Sequence, residues 1–392
     1  MTTYLLKLGE LTLKGENRRF FERVLKQNIF SLLKETNAKV ESKRGRFFVH
    51  CIEDEEEKIE DALNHLIGIT GFAKTRFCEK TITAILFSCI EEMKVLLEKR
   101  NIKTFKVEAR REDKSFPLDS YNICCSAGST ILENFPTLKV DVHNPDGVIE
   151  VEIREKAYIY STQKKGIRGL PVGTAGRGML LLSGGIDSPV AGFLMATRGM
   201  SVDAVYFHAY PYTSFEAQQK VVTLANIISR YTLGLRLYVI SFTEIQKVIK
   251  EKAPETWLTV ILRMAMMECA EILAFYREAK CLITGESLSQ VASQTIENIS
   301  CTESRIKLPV FRPLIGMNKE DIIKTAESIG TYKTSILPYQ DCCVLFSPSH
   351  PILHGKVKDS IKLYENLELS DLIKKAIEEN ETIKCPDYTK GF

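Results

Sequence analysis

Apolar residues follow two different rhythms along this chain. Up to about residue 166, short apolar runs are separated by helical stretches. YLLKLGELTLKG opens with an apolar run that ends at Gly15. From Asn17 to Lys34, Phe20, Phe21, Val24, Leu25, Ile29, Leu32 and Leu33 recur at helical spacing, with Asn17 as the expected cap. RFFVHCI (46–52) predicts a short buried strand, and 54–68 a helix whose acidic first turn suits the helix dipole. Further helices are predicted over 86–100 and 121–132, and a strand over 105–113. A hairpin is predicted over 148–166, reversing near Glu155 and Lys156. The Gly-rich stretch 166–178, which contains Pro171, reads as a linker.

From Met179 the apolar runs become continuous. MLLLSGG predicts a buried strand, followed by a helix from about Ser188 to Arg198. SVDAVYFH (201–208), LRLYVISF (235–242) and CLITGE (281–286) predict three more strands, alternating with helices around 215–231 and 257–278. This alternation predicts an α/β domain with a parallel sheet and right-handed crossovers, whose ligands bind at the carboxyl ends of its strands.

Composition narrows the picture. A chain of 392 residues is long enough for several domains and needs no disulfide or structural metal to fold. The net charge of +3 excludes a uniformly basic protein but leaves room for local basic patches. Residues 1–50 hold eleven Lys and Arg against five Glu. No apolar run has membrane-spanning length, and the N-terminus is too polar for a secretory signal. The eleven cysteines are scattered and none are spaced CxxC, which argues against a zinc ribbon or a thioredoxin-like pair and favours a reducing cytosol. Two vicinal pairs stand out. Cys124–Cys125 falls on a predicted helix with small neighbours, where packing is the expected role. Cys342–Cys343 falls in a loop after Pro338 and Tyr339.

The candidate chemistry centres on SGGIDSP (183–189). It joins a buried strand to a helix, which brings backbone N–H groups and a helix N-terminus to an anion. It is not a Walker A sequence. The string resembles the PP-loop of ATP pyrophosphatases. With GIRGLPVGTAGRG (166–178), TGESLSQVASQT (284–295), RPLIGMNKEDII (312–323) and PYQDCC (338–343), the chain closely resembles the tRNA 4-thiouridine synthetases along essentially its whole length.

The resemblance implies an N-terminal ferredoxin-like domain (1–57), a THUMP RNA-binding domain (58–166), a linker (167–178) and a PP-loop domain (179–392). It implies a short form without the rhodanese domain of some members. ATP with Mg²⁺ would be bound by Leu181, Leu182, Ser183, Gly184, Gly185, Asp187, Ser188, Tyr206, Phe207, Arg263, Gly285 and Gln294. Asp187 and Lys319 would be needed for catalysis, Cys342 would carry sulfur as a persulfide, and Cys343 is a second candidate thiol. The implied partners are tRNA, a cysteine desulfurase and a second copy of the chain, all in the cytoplasm. The implied reaction is adenylation of uridine 8 followed by sulfur transfer, and some members also pass sulfur toward the thiazole of thiamine. The basic side chains Arg110, Arg111, Lys114, Lys164, Lys165 and Arg168 are candidate phosphate contacts for the tRNA. Another PP-loop tRNA-modifying enzyme, or a tRNA-binding protein with a degenerate ATP site, remain as alternatives.

Overall fold

The computed structural model describes residues 1–43, 45–339, 348 and 350–385. The chain forms two compact units. One contains Met1–Leu13 and Thr36–Arg168, the other Lys14–Glu35 and the chain from Gly169 onward.

The first unit is built on a nine-stranded sheet. Its strands are β1 (Thr2–Leu8), β2 (Lys39–Lys43), β3 (Arg46–Cys51), β4 (Ile69–Cys78), β5 (Thr104–Arg111), β6 (Lys139–Val140), β7 (Gly147–Ile153), β8 (Ala157–Tyr160) and β9 (Gln163–Lys165). The order is β2-β3-β1-β4-β8-β7-β5-β6, with β9 also paired to β4. β4, which the apolar pattern does not reveal, pairs antiparallel with β1, β8 and β9. The predicted hairpin forms between β7 and β8, but its last residues leave it: Gln163–Lys165 pair with β4 instead.

The helix α1 (Arg18–Leu32) belongs to the second unit, whereas α2 (Glu56–Asn64), α3 (Ile82–Lys99) and α4 (Ser120–Asn134) belong to the first. Asn17 does not cap α1. Its backbone is already helical and its side chain makes no capping bond, because the 3-10 turn Gly15–Asn17 leads straight into the helix. Thr81 and Asp119 do cap α3 and α4, accepting from Ala84 N and Asn122 N at 3.3 and 2.8 Å. Ile85, Cys89, Met93 and Leu96 line one stripe of α3. With Ile123, Ala127 and Ile131 of α4 they cover Phe105, Ile149, Val151 and Ile159 of the sheet. Cys125 on α4 is exposed rather than packed, and its neighbour Cys124 is half-buried.

The second unit carries a six-stranded sheet. It contains β10 (Arg177–Leu181), β11 (Ser201–His208), β12 (Leu235–Ser241), β13 (Leu282–Ile283), β14 (Val310–Phe311) and β15 (Glu381–Cys385), in the order β14-β13-β10-β11-β12-β15. Every pairing is parallel except β12 with β15, which is antiparallel and closes one edge. Its principal helices are α5 (Asp187–Thr197), α6 (Phe215–Thr232), α7 (Thr243–Lys252), α8 (Leu258–Tyr276), α9 (Ile296–Glu303) and α10 (Lys319–Ser328). Helix α8 is apolar nearly all round, as a buried helix must be: Ile261, Ala265, Cys269 and Leu273 share a core with Met179, Val205 and Ile240.

The stretch 167–178, expected to be a linker, is hydrogen-bonded from Arg168 onward, where Arg168 N donates to Ile69 O at 2.8 Å within the first unit. Leu170 N donates to Thr197 O, and Gly173 N and Ala175 N both donate to Gly199 O, each at 2.9 Å. Gly169 is required here: it has φ +77°, and a Cβ would lie 2.1 Å from Thr197 O. The predicted strand 281–286 is shorter than its apolar pattern suggests, because the chain leaves the sheet after Ile283 and turns into the site described next.

Candidate nucleotide site

Strand β10 has β11 on one side and β13 on the other, so the chain leaves it in one direction and returns from the other. A crevice at the carboxyl ends of the strands follows from that topology. Residues 182–186 cross the mouth of this crevice and enter α5 at Asp187. The loop is held by its own serines. Ser183 N donates to Ser188 Oγ at 2.9 Å, Gly185 N to Ser183 Oγ at 3.3 Å, and the two hydroxyls lie 3.1 Å apart. Gly184 lies between them in the same turn. The first turn of α5 carries the helix dipole's positive end, and the loop holds it at the crevice.

The cavity is lined by Leu181, Leu182, Ser183, Gly185, Asp187, Ser188, Tyr206, Phe207, Arg263, Gly285 and Gln294, all of which the sequence singles out. Met266, Met267, Thr284 and Glu286 line it as well, and sequence reasoning missed them. Gly285 sits where the segment after β13 crosses the start of α5. A Cβ there would lie 2.6 Å from Ser188 N and 2.8 Å from the Asp187 carbonyl carbon. Two buried polar atoms of the lining, Arg263 Nε and Gln294 Oε1, have no hydrogen-bond partner among the described residues. Each can bond to a polar group of a ligand.

Glu286 is 2% exposed and organises one wall. Its carboxylate pairs with Arg263, accepts from Arg312 Nε at 2.7 Å and from Thr284 Oγ1 at 2.9 Å. Burial works to raise its pKa, but the two guanidiniums and the Arg312 and Thr284 hydrogen bonds bring it below the usual carboxylate value. Arg312 also reaches Glu303 at 2.8 Å. A signal for Arg312 exists in RPLIGMNKED, but nothing in that string says that the arginine faces Glu286.

Lys319 opens α10 and reaches Asp187 of the cavity lining. Its Nζ lies 2.5 Å from Asp187 Oδ1, and Gln290 Nε2 donates to Asp187 Oδ2 at 2.8 Å. The loops that carry Gln290 and Lys319 are tied together by Leu288 N to Ile315 O (3.1 Å) and Ser287 Oγ to Met317 O (3.3 Å). Cys342 and Cys343 lie outside the described residues. No group of three or more His, Cys, Asp or Glu side chains able to hold a metal occurs among the described residues, and no described helix is long and apolar enough to cross a membrane.

In the first unit, Arg110, Lys114, Lys164, Lys165 and Arg168 are exposed. Arg111 is half-buried, and its Nη1 donates to Phe116 O and Leu118 O at 2.8 and 3.1 Å, which fixes the turn after β5. Lys164 pairs with Glu60.

Comparison with known proteins agrees with this architecture. The family model "Thiamine biosynthesis protein (ThiI)" matches residues 173–369, the ThiI ferredoxin-like domain 3–73 and the THUMP domain 85–162. A probable tRNA sulfurtransferase of Treponema pallidum (strain Nichols) is 48% identical over 378 residues, covering 96% of this chain and 94% of its own. A probable tRNA sulfurtransferase of Caldanaerobacter subterraneus subsp. tengcongensis is 46% identical over 370 residues, covering 94% and 96%. The crystal structure of a 4-thiouridine synthetase–RNA complex with bound ATP superposes with a TM-score of 0.91 at 36% identity, over 98% of this chain and 99% of that one. The chain thus has ferredoxin-like and THUMP domains followed by a parallel-sheet PP-loop domain, and it belongs to the ThiI family of tRNA sulfurtransferases, as an enzyme of that type.

Proposed function

We propose that this chain converts uridine 8 of tRNA to 4-thiouridine, with ATP bound in the cavity between β10, β11 and β13. The observation that carries this reading is the convergence of three features at the carboxyl ends of those strands: the start of α5, the Lys319–Asp187 pair and the Arg263–Glu286–Arg312 cluster. The similar 4-thiouridine synthetase was crystallised with RNA and ATP, which supports both ligands.

The adenine rests on the apolar side chains of Leu181, Tyr206 and Phe207, with Gln294 Oε1 as an acceptor for its amino group. The triphosphate lies along Ser183–Ser188. A uridine extruded from the tRNA enters the cavity, as chemistry on a base requires. Its O4 attacks the α-phosphorus, the bond from that phosphorus to the β-bridging oxygen breaks, pyrophosphate leaves, and the N3 proton passes to solvent. Arg263 and Lys319 meet the charge that develops on the phosphates. Mg²⁺ binds through one or two carboxylates plus substrate phosphates, and Asp187, at the end of the phosphate loop, would hold it. When bound, the ion neutralises phosphate charge.

In the second stage the terminal sulfur of a Cys342 persulfide, loaded by a cysteine desulfurase, attacks C4, and AMP leaves. A second thiolate, Cys343 in this chain, then attacks Cys342 Sγ. The sulfur–sulfur bond breaks with its electron pair going to the sulfur on C4, which releases 4-thiouridine and leaves a disulfide. An external dithiol reduces it. Support for this assignment comes from six of the other nine thiols. Burial raises those of Cys51, Cys89, Cys269, Cys281, Cys301 and Cys385, which makes them poor nucleophiles.

The test is to incubate unmodified tRNA with the protein, Mg-ATP, cysteine and a cysteine desulfurase, and to resolve thiolated tRNA on a mercury-containing gel. Retarded tRNA with wild type and none with Cys342→Ser is the expected result. Retardation with both would move the carrier to another thiol. Pyrophosphate release without retardation would retain adenylation and refute thiolation.

A further inference from the structure

Lys220 is a lysine buried on the inner face of α6, only 6% exposed, among Ala217, Val221 and Leu224. Its ammonium donates to Leu337 O at 2.8 Å and to Tyr339 O at 3.4 Å. These carbonyls belong to a tight turn: Tyr339 N also donates to Leu337 O, at 2.8 Å. The turn is the last described chain before the DCC sequence. Two residues before it, Ser335, itself 6% exposed, donates its hydroxyl to Gly185 O of the phosphate loop at 3.2 Å. One short segment is therefore tied to the phosphate loop at its start and to α6 at its end.

A buried ammonium is costly, and a neutral side chain of similar length would pack against this face of α6 with less desolvation. Carbonyls near a helix end can also be satisfied by water. Fixing a turn at both of its carbonyls is a geometric result that an apolar residue cannot give. We infer that Lys220 is a positioning residue for the sulfur-transfer stage: by anchoring Leu337–Tyr339 to α6 it sets where the cysteine-bearing segment departs relative to the phosphate loop. The inference rests on Cys342 as the sulfur carrier. Among the described residues no nucleotide-site side chain bonds to the carbonyls that Lys220 holds, and the Ser335–Gly185 bond does not involve Lys220, so its loss is expected to fall on sulfur transfer rather than on adenylation.

The test compares two rates on the full chain with unmodified tRNA, Mg-ATP, cysteine and a cysteine desulfurase: tRNA-dependent pyrophosphate release and 4-thiouridine formation. Lys220→Met should release pyrophosphate near the wild-type rate while 4-thiouridine formation falls about 100-fold, the scale of a displacement of about 1 Å in a reacting group. Lys220→Arg, which keeps the donors, should regain much of the lost rate. Equal falls in both rates, or no fall in either, overturn the proposal. If Lys220→Met does not fold, Lys220→Gln is measured in the same way, and the same split between the two rates decides. If every replacement abolishes folding, the lysine is a structural residue and the positioning role is refuted. Cys342→Ser is run in parallel. Full 4-thiouridine formation in that variant refutes the carrier reading and the Lys220 role with it, whereas loss there together with an unimpaired Lys220→Met refutes the Lys220 role alone.

Discussion

Lys319 Nζ lies 2.5 Å from Asp187 Oδ1, joining the first residue of α10 to the first residue of α5 across 132 positions of chain. Both groups are partly solvated, so the pair adds about 0–1 kcal/mol to folding. On the proposed reading the arriving triphosphate divides the pair, with the ammonium going to phosphate oxygens and the carboxylate to the cation. Lys319→Ala and Asp187→Asn are each expected to slow tRNA-dependent pyrophosphate release about 100-fold or more with little change in Tm. The double variant should be much less impaired than the product of the two, because the residues act as a unit. Strict multiplication of the two effects would mean independent roles.

Gly285→Ala tests the crossing of the post-β13 segment over α5. The added methyl would meet backbone atoms at 2.6 and 2.8 Å, which cannot swing aside as a side chain can. The expected destabilisation is about 1–3 kcal/mol. A sharper measure is the ATP-induced rise in Tm, which should be clear in wild type and absent in the variant. An undiminished rise would show that the phosphate loop tolerates the displacement.

Glu286 gives the acid limb of stability a specific origin. The folded protein holds this carboxyl below its unfolded value of about 4.3. Its contribution is therefore complete above that pH and is lost as pH falls through the folded pKa. Glu286→Gln removes the carboxylate that Arg263 and Arg312 share, leaving Arg312 only Glu303, and should cost about 3–5 kcal/mol at pH 7. The variant should also lose less further stability than wild type between pH 5 and pH 3, an interval that begins above the unfolded value and ends below it. Urea unfolding at the three pH values measures both. Parallel acid limbs in the two proteins would assign the acid sensitivity elsewhere.

Thiol reactivity separates the cysteines. Burial pushes Cys89 up to about 12, Cys281 to about 11, Cys385 to about 12, and Cys269 higher still. Iodoacetamide at neutral pH, read by mass spectrometry, should spare these four in the native protein and modify them only after unfolding. Cys342 should be modified early, and prior persulfide loading should move the label to the outer sulfur, read as the added mass of one sulfur atom. Early labelling of a buried four-member site ahead of Cys342 would contradict the carrier assignment.

Much of the nucleotide site was legible because it is local. SGGIDS places a buried strand, close-approach glycines and a helix start in consecutive positions, and Leu181, Tyr206 and Phe207 end solid apolar runs. The rest depends on chain that is distant in sequence. Glu286 meets arginines 23 and 26 positions away, and Gln290 meets Asp187 from 103 away. No periodicity encodes those meetings. Strand β4 escaped because Gly71, Lys74 and Arg76 interrupt its apolar run, and β15 because an edge strand buries little. The Asn17 cap failed because a preceding 3-10 turn had already started the helix.

The early excursion of α1 has a consequence for biogenesis. Asn28 Nδ2 donates to Val172 O at 3.0 Å, a buried bond between residues 144 apart, within the second unit. During synthesis α1 therefore leaves the ribosome well before its acceptor exists, and its apolar stripe must wait while the whole intervening unit is translated. A single cut after Arg168 would strand α1 on the wrong fragment, so neither unit can be produced intact by simple truncation.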